Sequence, residues 1–125
     1  MKQKVIAVDF DGTIVHNIFP NIGDVIPLAF ETIKELQQKG NKVILLTMRC
    51  GQTLEECLLF CEDHGVVFDG VNENPFQGFL GSVKVYASLY IDDNGLGCPV
   101  IKDDNNKDAV DWTKVRQILK DKGLI

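Results

Sequence analysis

Lys4–Val8, apolar without a break from Val5, is closed by an acid, Asp9. An apolar run without polar alternation is what a strand buried on both faces of a parallel sheet requires. Two later segments repeat the pattern. Lys42–Leu46 ends at Thr47, and Leu89–Ile91 runs directly into Asp92-Asp93.

Between these runs the spacing predicts helices. Pro27 suits the first turn of one, which Leu28, Ile33 and Leu36 continue toward a stop at Gly40. Thr53–His64 reads as a second, with Leu54, Cys57, Leu58 and Cys61 on one side and Gly65 as its stop. Asp111 is expected to cap a third helix through Lys122, with Trp112, Val115, Ile118 and Leu119 on its inner face. The Gly-, Asn- and Pro-rich stretch after Asp9 reads as loop up to Asp24, and Asn72–Ser82, with its Asn74-Pro75 turn signal, as a second loop. Val66–Phe68 and Cys98–Ile101 are expected to be short strands. Alternating strands and helices predict the α/β class, a three-layer α/β/α sandwich around a mostly parallel sheet. A chain of 125 residues fits one domain, 1–125.

Composition narrows the partners. The apolar share of 45% is enough for a packed core and excludes a disordered chain. Apolar runs such as Val43–Leu46 are far shorter than the roughly 18 residues of a bilayer span. Val5–Val8 is too short for a signal-peptide core, so a soluble, cytoplasmic protein with no membrane partner is expected. Thirteen Lys and Arg against eighteen Asp and Glu give a net charge of −5 and no basic stripe, which argues against nucleic-acid binding by bulk charge. The four cysteines (Cys50, Cys57, Cys61, Cys98) are expected as reduced thiols. Cys57, Cys61 and His64 could face one metal, but the same spacing matches the buried side of an amphipathic helix, which is the reading adopted.

In an open α/β sheet the carboxyl ends of the strands line the ligand crevice. Asp9 and Asp11 follow one strand, Thr47 another, and Asp92 and Asp93 a third, so these side chains are expected in one cleft. A single Asp at a strand end is often only a turn residue or a cap; the joint pattern is harder to dismiss. Carboxylates crowded together repel, and a cation is the simplest resolution. All-oxygen ligation by few protein groups favours Mg²⁺. Gly12, directly after Asp11, permits unusual backbone torsions beside a ligand.

Asp9-Phe10-Asp11-Gly12-Thr13 after a buried strand, Thr47, Lys84 eight residues before Asp92, and Asp92-Asp93 follow in order within residues 4–97. In these segments the sequence closely resembles the haloacid dehalogenase-like superfamily of phosphotransferases, and they look like its four motifs. The resemblance implies a Rossmann-like sheet and a Mg²⁺-dependent phosphatase. Asp9 would be the nucleophile that forms an aspartyl-phosphate. Asp11 would be the general acid and then the base, its backbone carbonyl also reaching the metal. Thr47 would hydrogen-bond the phosphoryl group, with Gly12, Thr13, Met48 and Arg49 around the same subsite. Lys84 would offset charge on Asp9 and the phosphate. The metal would fall to Asp9, Asp11, Asp92 and Asp93. Asp93 is expected as the direct ligand and Asp92 as the group orienting Lys84 or the metal's waters, since strand alternation would point the two apart.

Two departures matter. Where the fourth motif often carries a further acid, Asn94-Gly95-Leu96-Gly97 follows Asp93. Larger members also insert a cap domain, but only Ile14–Ile26 and Asn72–Val83 occupy those places, too short for a domain. The chain resembles the small capless phosphatases. An uncovered site could accept a phosphorylated substrate as large as a macromolecule. The two loops or a second subunit could instead cover it, which leaves a homo-oligomer open. Arg49 is a candidate for a second phosphate contact, or else a surface arginine paired with Glu55 or Glu56. His16, Asn17 and Phe19 could touch the leaving group or be ordinary loop residues. The rival readings are a phospho-accepting receiver domain and a domain that binds phosphorylated partners without turnover. A receiver has its acid pair after the first strand, whereas Asp92-Asp93 follows Lys84, which argues against it.

Overall fold

The computed structural model describes residues 3–78 and 82–125. Met1, Lys2 and residues 79–81, the last within the loop expected over Asn72–Ser82, lie outside the described residues. The elements run β1 (Val5–Val8), β2 (Val15–Ile18), β3 (Asn21–Val25), α1 (Ala29–Gln38), β4 (Lys42–Leu45), α2 (Gly51–Asp63), β5 (Gly70–Val71), β6 (Leu89–Ile91), β7 (Val100–Lys102), β8 (Asp108–Val110) and α3 (Trp112–Asp121). Four strands form one parallel sheet in the order β5-β4-β1-β6, flanked by helices, so the fold is α/β.

Side chains alternate across a strand, and the two faces of this sheet meet different partners. Ile6, Val8, Val43 and Leu45 share one core with Ile33 and Leu36 of α1, Cys57 and Cys61 of α2, and Trp112, Val115 and Leu119 of α3. Ala7 and Ile44 are buried on the other face. There Lys42 Nζ lies 5.2 Å over the Phe76 ring. Gly70 is hemmed in by Ile44 and Pro75, each 2.9 Å from where a Cβ would stand. Among the described residues, the segment around Asn74 and Phe76 covers this face where a second helical layer was expected.

The stretch expected to be loop up to Asp24 contains an antiparallel hairpin, β2–β3, joined across a cis Phe19-Pro20 peptide. Gly23 passes so close to the His16 backbone that no Cβ would fit. The strand expected over Val66–Phe68 forms later, at β5. Asp69 Oδ2 takes the Val43 N–H at 2.8 Å, so ladder pairing with β4 starts only at Gly70. The strand expected from Cys98 starts at Val100 and joins a separate hairpin, β7–β8. That hairpin turns on Asp103, whose Oδ1 accepts from the Asn105 and Lys107 N–H groups.

Asp111 caps α3 by accepting from Lys114 N at 3.3 Å. Ile118, expected to face inward, is 42% exposed, while Trp112, Val115 and Leu119 are buried. Arg116 ties α3 to α1, donating to Thr32 Oγ1 and Glu35 Oε1. Trp112 Nε1 donates to Thr13 O at 2.7 Å and so anchors α3 to the loop after β1. Cys57 and Cys61 are fully buried, as an apolar helix face requires, and His64 stacks on Phe30 with ring centroids 4.7 Å apart. The Cys57 contact and burial push the Cys61 thiol's pKa up, which favours the neutral form. Among the described residues no helix is long and apolar enough to cross a membrane.

Candidate functional site

The chain steps outward from β1 through β4 to β5, then returns to the opposite side of β1 with β6. Connections therefore diverge beside β1, and a crevice opens at the carboxyl ends of β1 and β6. Asp9 stands on the β1 side of its floor, its N–H continuing the ladder to Ile91 O at 3.0 Å. Asp92 and Asp93 stand on the β6 side. Ligand oxygens of Asp9, Asp92 and Asp93 lie within 4.8 Å of one another.

Strand alternation would point Asp92 and Asp93 apart. β6 ends at Ile91, however, and a turn closed by Gly95 N on Asp92 O at 2.8 Å takes over, so both carboxylates join the cluster. Thr13, buried behind them, sets its hydroxyl 3.1 Å from Asp9 Oδ2 and 3.3 Å from Asp93 Oδ1. Burial first, the Asp92 charge second and the Asp93 hydrogen bond third push the Asp9 pKa from 3.8 up to about 8. Asp93 is raised as well, chiefly by burial. Among the described residues no Lys or Arg pairs with any of the three acids. Three clustered oxygen donors, Asp9 and Asp93 with raised pKa values and none with a cationic partner among the described residues, fit a divalent cation such as Mg²⁺.

Gly12 and Thr13, expected around the substrate, pack against the acid cluster. Gly12 adopts φ 88°, and a Cβ there would stand 2.5 Å from Asp93 Oδ2. Thr13 is fully buried with its hydroxyl committed to the acids. Thr47 and Met48 do line the cleft beside Asp9. The Thr47 N–H donates to Asn72 Oδ1 at 2.9 Å, and its Oγ1 accepts from Arg49 N at 3.1 Å, which leaves the hydroxyl hydrogen for a ligand.

Arg49 lines the same cleft, and it is not the surface arginine paired with Glu55 or Glu56 that was the alternative. It is buried, with no exposed side-chain surface. Nε and Nη2 donate to the two oxygens of Asp11, each at 2.8 Å. Nη2 also donates to Asn21 O at 2.9 Å, and Nη1 to Pro20 O at 3.2 Å and Thr53 O at 3.4 Å. The guanidinium lies 5.2 Å from the Phe10 ring and 5.1 Å from the Phe19 ring. Its pKa is raised, first by the Asp11 hydrogen bonds. Arg49 thus fastens Asp11, the β2–β3 tip and the start of α2 to one another.

Lys84 is not brought to this cleft. It is exposed and lines a separate cavity with Val5, Asn74 and Phe76, because the segment after residue 82 runs along the other face of the sheet. His16 also points elsewhere, its Nδ1 3.3 Å from Asp103 Oδ2. Asn17 and Phe19 line the cleft, and so does Asn94, which the sequence did not single out. The sole signal for Arg49 was its position two residues past Thr47; nothing local marks a partner 38 residues away.

No family model matches the chain, and no curated protein matches it. Among solved structures, the chain is similar to the conserved protein coded by a locus from Bacteroides thetaiotaomicron. The two are 37% identical over 97% of this chain and 93% of that one, with a TM-score of 0.81. At that identity and coverage, the chain belongs to the same family as this conserved Bacteroides protein.

Proposed function

We propose that the protein is a Mg²⁺-dependent phosphomonoester hydrolase, a capless, Rossmann-like member of the haloacid dehalogenase-like superfamily. The observation that carries this reading is the cluster of Asp9, Asp92 and Asp93 at the β1/β6 crevice, with the Asp9 pKa raised to about 8. Asp9, Asp92 and Asp93, with the Asp11 backbone carbonyl, would hold the ion. The chemistry Mg²⁺ supplies when bound there is compensation of the phosphoryl charge and of the charge on Asp9. Asp9 attacks phosphorus, the bond to the leaving oxygen breaks, and Asp11 gives that oxygen a proton. Water then attacks phosphorus, gives its proton to Asp11, and releases Asp9 and inorganic phosphate. The Thr47 hydroxyl holds a phosphoryl oxygen throughout.

Asp11 enters this sequence only after one of its oxygens parts from Arg49 and takes up from solvent the proton it then gives, since both oxygens accept from the guanidinium. That engagement also favours the second reading, a domain that binds phosphorylated partners without turnover. Four unpaired thiols suit a reducing compartment, in line with a cytoplasmic enzyme. The test is release of phosphate from p-nitrophenyl phosphate with Mg²⁺ and with EDTA, by the wild type and by Asp9→Asn. Turnover that needs both Mg²⁺ and Asp9 supports the hydrolase. Absence of turnover on aryl phosphates, sugar phosphates, nucleotides and phosphopeptides alike would overturn it.

A further inference from the structure

The rim of the cleft differs in character from its floor. The floor holds acids. The rim carries two exposed apolar side chains, Phe19 at 55% and Met48 at 96% exposure, which line the same cleft as Asp9. Lone exposed apolar residues need no explanation, but these two share the mouth of one polar cleft.

Phe19 is not a loose loop residue. Its ring lies on the Arg49 guanidinium at 5.1 Å, and that guanidinium is itself held by Asp11, Pro20 O, Asn21 O and Thr53 O. The Phe19 N–H is further tied to Asn17 Oδ1 at 3.2 Å. A ring backed by a buried cation keeps its orientation and turns its remaining surface outward. The cation draws electron density from the ring, which makes its outer face a better partner for an electron-rich π system. Met48 adds a polarizable thioether that favours aromatic contact. The cleft volume is about 340 Å³, at the lower end for small-molecule sites, which suits a phosphoryl group and one ring while the remainder of a ligand extends outward. Asn17 and Asn94 line the same cleft, and amide side chains can pair with the edge of a heterocycle.

We infer that Phe19 and Met48 select phosphate esters that carry a flat aromatic or heteroaromatic ring, with Phe19 as the stacking surface. This rests on the hydrolase reading of the cleft and names its substrate class. The experiment compares kcat/KM for 1-naphthyl phosphate and nucleoside monophosphates with that for glycerol phosphate and phosphoserine. It uses the wild type, Phe19→Ala, Phe19→Trp and Met48→Ala, each with Mg²⁺. The ratio of ring to aliphatic substrates is expected to exceed about tenfold in the wild type and to fall about tenfold in Phe19→Ala, mostly through KM. Phe19→Trp should keep the ratio, and Met48→Ala should lower it less. Naphthyl and nucleotide arms separate a need for a ring from a need for a hydrogen-bonding edge.

A wild type that prefers aliphatic esters, or a Phe19→Ala ratio equal to the wild type's, would overturn the inference. Should no ester turn over, the hydrolase proposal fails by itself. Selection by Phe19 is then decided by calorimetric affinity for 1-naphthyl phosphate against glycerol phosphate, in the wild type and in Phe19→Ala. Equal discrimination by both proteins would overturn it.

Discussion

Asp9→Asn removes a negative charge from the acid cluster while nearly conserving its shape, so the substitution should stabilise the cation-free protein. The Asp9 carboxyl has its pKa pushed from 3.8 to about 8 by burial and by Asp92 and Asp93. An acid with a raised folded-state pKa binds more protons folded than unfolded, so stability is fullest below the unfolded value and is lost as pH climbs toward 8. A rise of that size sets a ceiling near ~6 kcal/mol. The cleft is open and its carboxylates half-buried, so solvent screening leaves about 2 kcal/mol. For a chain of this length that is roughly 7 °C in Tm. The assay is thermal melting followed by circular dichroism, in EDTA, from pH 4 to pH 9. The wild type should lose stability as pH rises through this range, and Asp9→Asn should lose much less. Mg²⁺ should restore the wild type at pH 8 and leave Asp9→Asn nearly unmoved. If Asp9→Asn in EDTA melted at or below the wild type at pH 8, the repulsion argument would be refuted.

Three further outcomes are expected. Arg49→Lys keeps the charge but loses the paired donors to Asp11, so urea unfolding should register a loss of about 2–3 kcal/mol, and a neutral result would mean that the pair is dispensable. Gly12→Ala combines a positive φ with a clash against Asp93, so a loss of about 2 kcal/mol is expected together with a weakened Mg²⁺-induced shift in Tm. Lys84→Met should lower kcat/KM by less than about threefold, as befits a side chain in the neighbouring cavity. A loss of a hundredfold or more would mean that Lys84 reaches the cleft during turnover.

The residues at the ends of strands were legible because burial and charge conflict locally. An apolar run stopped by Asp9, Thr47 or Asp92 declares both a strand and the edge where the candidate site lies. The β2–β3 hairpin was not legible, because His16, Asn17, Gly23 and Asp24 dilute its alternation and Phe19-Pro20 looks like loop. β5 was displaced because a side chain, Asp69, occupies the Val43 donor that a strand carbonyl would have taken. Arg49 and Lys84 show the harder limit. Each is a cation near a motif in sequence, and only the fold decides which one is buried against an acid and which one faces another cavity.

The tryptophan at the start of α3 gives the molecule an optical reporter. Trp112 is the chain's single tryptophan, and its indole N–H is bonded to the carbonyl of Thr13, whose hydroxyl touches Asp9 and Asp93. Occupancy of the acid cluster is therefore one residue away from a chromophore with no spectral competitor of its own kind. Its emission should follow a cation titration without any label being introduced.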